Sequence, residues 1–137
     1  MSFRDHINSC NSFDPARVVP LTAGNARLGL LRRDNADVLR RFHDVFAVGE
    51  QGVELVAGGS VDATSQAVDA VVDALVAEHR VPKWRNETFA VAPRWEAPPV
   101  FRLDRGAVPF FGTRAYGVHL NGYHRRGNEL FRQVPRG

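Results

Sequence analysis

The sequence predicts an α+β domain: a mostly antiparallel sheet, two main helices, and a β-hairpin at the C-terminal end. Three patterns carry that prediction. Val68, Val71, Val72, Leu75 and Val76 recur at helical spacing and give one broad apolar face. Short apolar runs, such as Ala26 to Leu31, end at charged or glycine-rich punctuation, as strands do. From Ala115 to His124 the residues alternate with a period of two, and Gly127-Asn128 then separates them from a second run, Glu129 to Val134.

In chain order, Arg4 to Asn11 reads as a helical turn or short helix, followed by a loop around Asp14-Pro15 and Val19-Pro20. Ala26 to Leu31 is a compact strand that ends at Arg32-Arg33-Asp34. Asp34 is a good N-cap for the next helix, Asp37 suits the dipole of its first turn, and Val38, Leu39 and Phe42 form the inward stripe. Arg40 and Arg41 point outward near its end, as a solvated face. Val45 to Val48 and Val53 to Val56 are two short strands around the turn Gly49-Glu50-Gln51-Gly52. Neither this glycine pair nor Gly58-Gly59 is a phosphate loop, because no lysine and helix follow. The longest helix is expected from about Ala63 to Arg80, capped by Asp62 or Thr64, with His79 extending its apolar face and Pro82 closing it from outside. Glu87 to Ala92 and Val100 to Leu103 read as strands on either side of an extended connector, Pro93 to Pro99. Arg105 to Gly112 is irregular and anchored to the core by Phe110 and Phe111. In the terminal hairpin Tyr116, Val118 and Leu120 fall on the core face; Ala115, Gly117, His119, Asn121 and Tyr123 fall on the small, polar one.

The 137 residues suit one folded domain, and 44% apolar with 24% charged residues is an ordinary soluble composition. No apolar run approaches the roughly 18 residues of a membrane span. The first fifteen residues hold no apolar stretch of the secretory kind, and Cys10 is the only cysteine, so a cytoplasmic, reducing location is expected. Cys10 itself reads as a small buried hydrophobe. The charge is asymmetric. Residues 99–137 carry 7 arginines and 2 acidic residues, a net of +5, against a net of −2 for the 11 basic and 13 acidic residues before them. Such a basic segment attracts phosphate on nucleic acid or on a small ligand; arginine is equally the surface cation of a chain whose one lysine is Lys83.

There is no Ser-His-Asp signature, zinc-ligand spacing or dinucleotide fingerprint. Asp69 and Asp73, four apart, are expected to repel on a solvated face rather than hold a metal. His119, Asn121 and Tyr123, spaced by two, form with Arg114 a polar strip that can position a polar ligand or simply line a wet sheet face. Trp84 between Lys83 and Arg85, and Trp95 after Arg94, suit cation–π packing within the fold or base stacking.

FDPARVVPL, DVFAV and the long run PRWEAPPVFRLDRGAVPFFGTRAYGVHLNGY together resemble the N-terminal domain of Nudix hydrolases of the thiamine-pyrophosphokinase-related group. The resemblance implies an accessory domain at 1–112 and, at 113–137, a hairpin like the start of a Nudix domain, into whose sheet AYGVHLNGY leads. It implies hydrolysis of a diphosphate linkage by the full-length enzyme, with magnesium or manganese as its cofactor and thiamine diphosphate or damaged analogues as substrates. The Nudix box, with its clustered glutamates, is missing: no glycine has a glutamate six positions later, and no two glutamates are adjacent. No catalytic residue, metal ligand or cofactor site is therefore assigned to this chain, which is expected to be a fragment or natural truncation.

The first expectation is thus a non-catalytic domain that recognises a phosphorylated, thiamine diphosphate-like small molecule, with Arg114, His119, Asn121 and Tyr123 as substrate-binding residues. A nucleic-acid-binding module using the arginine-rich C-terminal third is the less favoured alternative. A self-associating domain, a homodimer through the unpaired edges of the exposed hairpin, is a third. No membrane partner is expected.

Overall fold

A computed structural model describes residues 1–10, 12–83, 86–117 and 121–133. Its elements run α1 (Phe3–Cys10), a 3-10 turn (Pro15–Arg17), β1 (Val18–Ala23), β2 (Ala26–Arg32), α2 (Arg33–Leu39), β3 (Phe46–Val48), β4 (Val53–Leu55) and α3 (Val61–Ala77). There follow β5 (Thr88–Val91), β6 (Phe101–Asp104), a second 3-10 turn (Arg105–Ala107), α4 (Val108–Phe111), β7 (Gly122–Arg126) and β8 (Glu129–Gln133). The fold is α+β. One sheet has the order β2-β1-β4-β3, and β5–β6 and β7–β8 form two-stranded sheets. Every pairing is antiparallel except β1 with β4.

β1 lies where the sequence suggested a loop at Val19-Pro20, and it is a central strand. A proline survives there because neither neighbour needs its amide. Pro20 pairs with Leu30, and the Leu30 N–H points away from β1 to donate to Gly112 O at 3.0 Å. That makes Pro20–Leu30 a non-hydrogen-bonded pair of the ladder. On the other side β4 begins only at Val53, opposite Leu21. The proline packs instead on Gly52, where a Cβ would lie 2.8 Å from Pro20 O and 3.0 Å from its ring.

The β3–β4 hairpin forms as expected, closed by Gly49 N–H donating to Gly52 O at 2.9 Å. α2 starts two residues earlier than Asp34 as a cap would require. Arg32 occupies the cap position without a side-chain bond, and Asp34 sits in the first turn, where its charge suits the dipole. Ala36 and Leu39 are its buried side chains, and Asn35 Nδ2 donates to Phe110 O at 3.0 Å, tying α2 to α4.

α3 is capped by Ser60, whose Oγ accepts the Ala63 N–H at 3.1 Å; Asp62 and Thr64 lie inside the helix. Val68, Val71, Val72 and Leu75 are buried as the periodicity predicted. Ser65 fastens the helix to β6: its hydroxyl donates to Val61 O at 2.6 Å and accepts the Arg102 N–H at 2.9 Å. His79 does not extend the apolar face. The helix ends at Ala77, and His79 is exposed with φ +59°. Its N–H donates to Val76 O and that of Arg80 to Leu75 O, at 3.0 and 2.9 Å, the two bonds of a Schellman C-cap.

The core draws on both halves of the chain, with Leu21, Leu31, Leu39, Phe46, Val68, Leu75, Phe101, Leu103 and Phe111 among its members. α1 contributes nothing to it. Cys10 is exposed rather than buried, because no residue of α1 is buried.

On α3, burial first and then the charges of Asp73 and Asp104 push the Asp69 carboxyl above its ordinary value of 3.8. A raised folded value means the folded state holds that proton more tightly than the unfolded chain. Its contribution is therefore present below the unfolded value and lost as pH rises through the folded one. Asp69→Asn is expected to flatten that loss and to raise the urea midpoint at neutral pH; a midpoint lowered there would refute the repulsion.

Candidate functional site

The hairpin forms at its distal end. In β7–β8, Tyr123 pairs with Arg132 and Arg125 with Leu130, which puts these four side chains on one face. The other face carries His124, Arg126, Glu129 and Phe131, with the His124 ring stacked on Phe131 at 5.4 Å between centroids. All these side chains are exposed. Of the two turn residues only Gly127 takes positive φ, at +63°.

The first strand begins at Gly122, not at Ala115. Ala115 to Gly117 lie in no strand among the described residues, and the described ladder opens at Gly122 opposite Gln133. Tyr116 accordingly leaves the core: it is 43% exposed and stands edge-on to Trp95 at 4.7 Å. Among the described residues Trp95 is held by a tyrosine. Trp84, and Val118 and Leu120 of the expected core face, lie outside the described residues, as does Val134.

Arg114 Nη1 donates to Pro93 O at 2.8 Å, so its guanidinium ties the connector to the segment leading into the hairpin. Asn121 and Tyr123 are exposed at the start of β7. His119 lies outside the described residues. What β7–β8 does assemble is an aromatic-basic surface, Tyr123 with Arg125 and Arg132, which suits an anion bearing a ring.

A second feature went unread in the sequence. Between α2 and the β3–β4 turn lies a cleft of about 450 Å³, lined in part by Arg33, Asp37, Arg40 and Glu50. Arg40 Nε donates to Asp37 Oδ1 at 3.1 Å and its Nη1 reaches Val48 O at 3.4 Å; Arg33 Nη1 reaches Glu50 O at 3.4 Å. Arg40 therefore faces a cleft rather than open solvent alone. Arg41 pairs with Glu78 and lies over the Phe42 ring, and that guanidinium, with Arg80 behind it, holds the Glu78 carboxyl below its ordinary value. The signal was Arg33 and Arg40 seven apart in the first clear helix, but the groups facing them come from the β3–β4 hairpin.

For magnesium or manganese the described residues offer no donor set. Among the described residues no three histidine, cysteine, aspartate or glutamate side chains come together to hold a metal ion, so no step is routed through one.

Sequence comparison gives this α+β domain a family and two Nudix hydrolase relatives. Residues 2–115 match the family described as a domain of unknown function (DUF4743), and the chain belongs to that family. It is similar to two proteins of Arabidopsis thaliana. Nudix hydrolase 20, chloroplastic, is 32% identical over 140 aligned positions, covering 93% of this chain and 37% of its own length. Nudix hydrolase 24, chloroplastic, is 28% identical over 134, covering 94% and 37%. The chain therefore spans little more than a third of the curated relatives it matches. Among the described residues no helix is long and apolar enough to cross a membrane.

Proposed function

We propose that this chain is a non-catalytic accessory domain of a Nudix-type diphosphate hydrolase, one that recognises the substrate and leaves the chemistry to a Nudix domain. The observation that carries the reading is a pairing. Nearly the whole chain matches Nudix hydrolases. Yet its sequence holds no box of clustered glutamates. The accessory unit is 1–112, and 113–137 is a hairpin like the start of the Nudix domain; a family match that ends at residue 115 supports this division.

The substrate in this reading is thiamine diphosphate or a damaged analogue, on the strength of the resemblance, and magnesium or manganese belongs to the catalytic domain. Asn121 and Tyr123 contribute to recognition, with His119 and Arg114 as the other members of the strip. Tyr123 offers a ring to a heterocycle, and Arg125 and Arg132 on its face offer forks to a diphosphate. A cytoplasmic location belongs to the same reading, supported by the single cysteine.

Calorimetry and a phosphate-release assay on the purified chain test it together. Thiamine diphosphate should bind, Tyr123→Ala should weaken it, and added magnesium should release no phosphate above the blank. Metal-dependent release would overturn the non-catalytic assignment, and absence of binding would overturn recognition. The same basic-aromatic face favours a second reading, a nucleic-acid surface. Heparin retention that falls steeply with salt and is lost with Arg125→Ala/Arg132→Ala would select it.

A further inference from the structure

A separate groove at the other end of the sequence gathers three arginines around one carboxylate. Its volume is about 360 Å³, and Ala16, Arg17, Arg32, Arg33 and Asp34 line it. Local chemistry builds it. Asp14 Oδ1 accepts the Ala16 N–H at 3.0 Å and Pro15 occupies the first turn, which fixes the 3-10 turn carrying Arg17. The next residue, Val18, pairs with Arg32, so the β1–β2 register brings Arg17 beside the Arg32-Arg33 doublet. Arg33 Nε donates to Ala16 O at 2.6 Å and closes the floor.

The two arms of the groove are loosely held. Arg17 approaches Asp14 at 3.6 Å and Arg32 approaches Asp34 at 3.8 Å, with side chains 81% and 69% exposed. Charge-assisted hydrogen bonds between such groups are about 2.7–2.9 Å long. The guanidinium forks therefore retain N–H donors for another anion. Forks match phosphate oxygens two at a time, and three cations against Asp34 in the lining and Asp14 beside Arg17 still leave the groove net positive.

We propose that the groove formed by Arg17, Arg32 and Arg33 binds a phosphate or diphosphate group. The backbone bonds that place the arginines exist before any ligand arrives, so little ordering is needed on binding. This inference goes beyond the accessory-domain reading and shares no residue with the hairpin.

Calorimetry on the whole chain with inorganic pyrophosphate tests it. Arg17→Ala/Arg32→Ala is expected to weaken pyrophosphate roughly tenfold, the loss of charge-assisted bonds of ordinary strength. Arg17→Lys/Arg32→Lys, which keeps the charge without the forks, should fall between. Arg4→Ala on α1, which does not line the groove, should leave binding within about twofold, since an exposed charge out of contact is screened. Pyrophosphate carries no ring for Tyr123, so the loss of its binding in Arg17→Ala/Arg32→Ala is read apart from the hairpin, and the two readings can fail separately. Thiamine diphosphate competing with pyrophosphate would name a small molecule as the phosphate source. A short single-stranded oligonucleotide competing, with the same loss in the double variant, would name nucleic acid. No pyrophosphate binding, or an equal loss with Arg4→Ala, would overturn the site; unchanged circular dichroism of each variant confirms that the folded chain is being measured.

Discussion

Gly112→Ala is expected to destabilise the domain by about 4 kcal/mol or more, at the far end of what single substitutions do. Two effects combine. Gly112 caps α4 in the left-handed region, φ +61°, with its N–H donating to Val108 O at 2.9 Å. That conformation alone costs an alanine about 1 kcal/mol. The larger effect is contact. A Cβ at Gly112 would lie 1.7 Å from Leu30 O and 2.6 Å from Leu30 C, so two backbones would have to part. The approach is mutual, since a Cβ on Gly29 would meet Gly112 O at 2.5 Å. Parting them breaks the Leu30–Gly112 hydrogen bond and the Gly29–Thr113 bridge, through which the segment after α4 covers the edge of β2. Gly24→Ala is the control. It also has positive φ, +55°, but nothing lies within 4 Å of its Cβ, so it should lose only the conformational part. Equal urea midpoints for the two variants would show that the close approach does not exist.

Residues 20 and 116 show where the sequence was legible and where it was not. Period and punctuation located β2, β3, β4, β5, β6 and α3, because each buries a face its own pattern announces. β1 was hidden by Pro20, which propensity excludes from a central strand. It is admitted by facts about other segments: where the Leu30 amide points, and where β4 begins. The alternation at 115–117 meets no partner strand among the described residues, and alternation without a ladder gives an exposed Tyr116. His79 continued the 3.6-residue stripe numerically, yet the helix had already ended at Ala77. The candidate sites divide the same way. Tyr123 could be read from spacing, whereas Arg17 and Arg32 are 15 positions apart and meet only through the β1–β2 register.

Phe111→Ala is expected to cost about 3–5 kcal/mol, the range for truncating a buried aromatic ring. Phe111 is fully buried on a helix of only four residues, which packing must hold because so short a helix does not hold itself. Its ring lies 5.7 Å from Phe46 on β3 and 5.2 Å, edge-on, from Phe110. It thus joins the four-stranded sheet to the segment that crosses its β2 edge at Gly112. Removing it leaves a cavity between them, and Phe46 loses a stacking partner at the same time. Phe111→Leu keeps most of the volume and should recover more than half of the loss. Phe110→Ala should cost less, because Phe110 retains 8% exposure at the margin of the core. The order of urea midpoints, Phe111→Ala below Phe110→Ala below Phe111→Leu, is the observable. If Phe111→Ala unfolds at the midpoint of the unsubstituted chain, α4 does not plug the core, and the placement of everything after residue 104 would have to change.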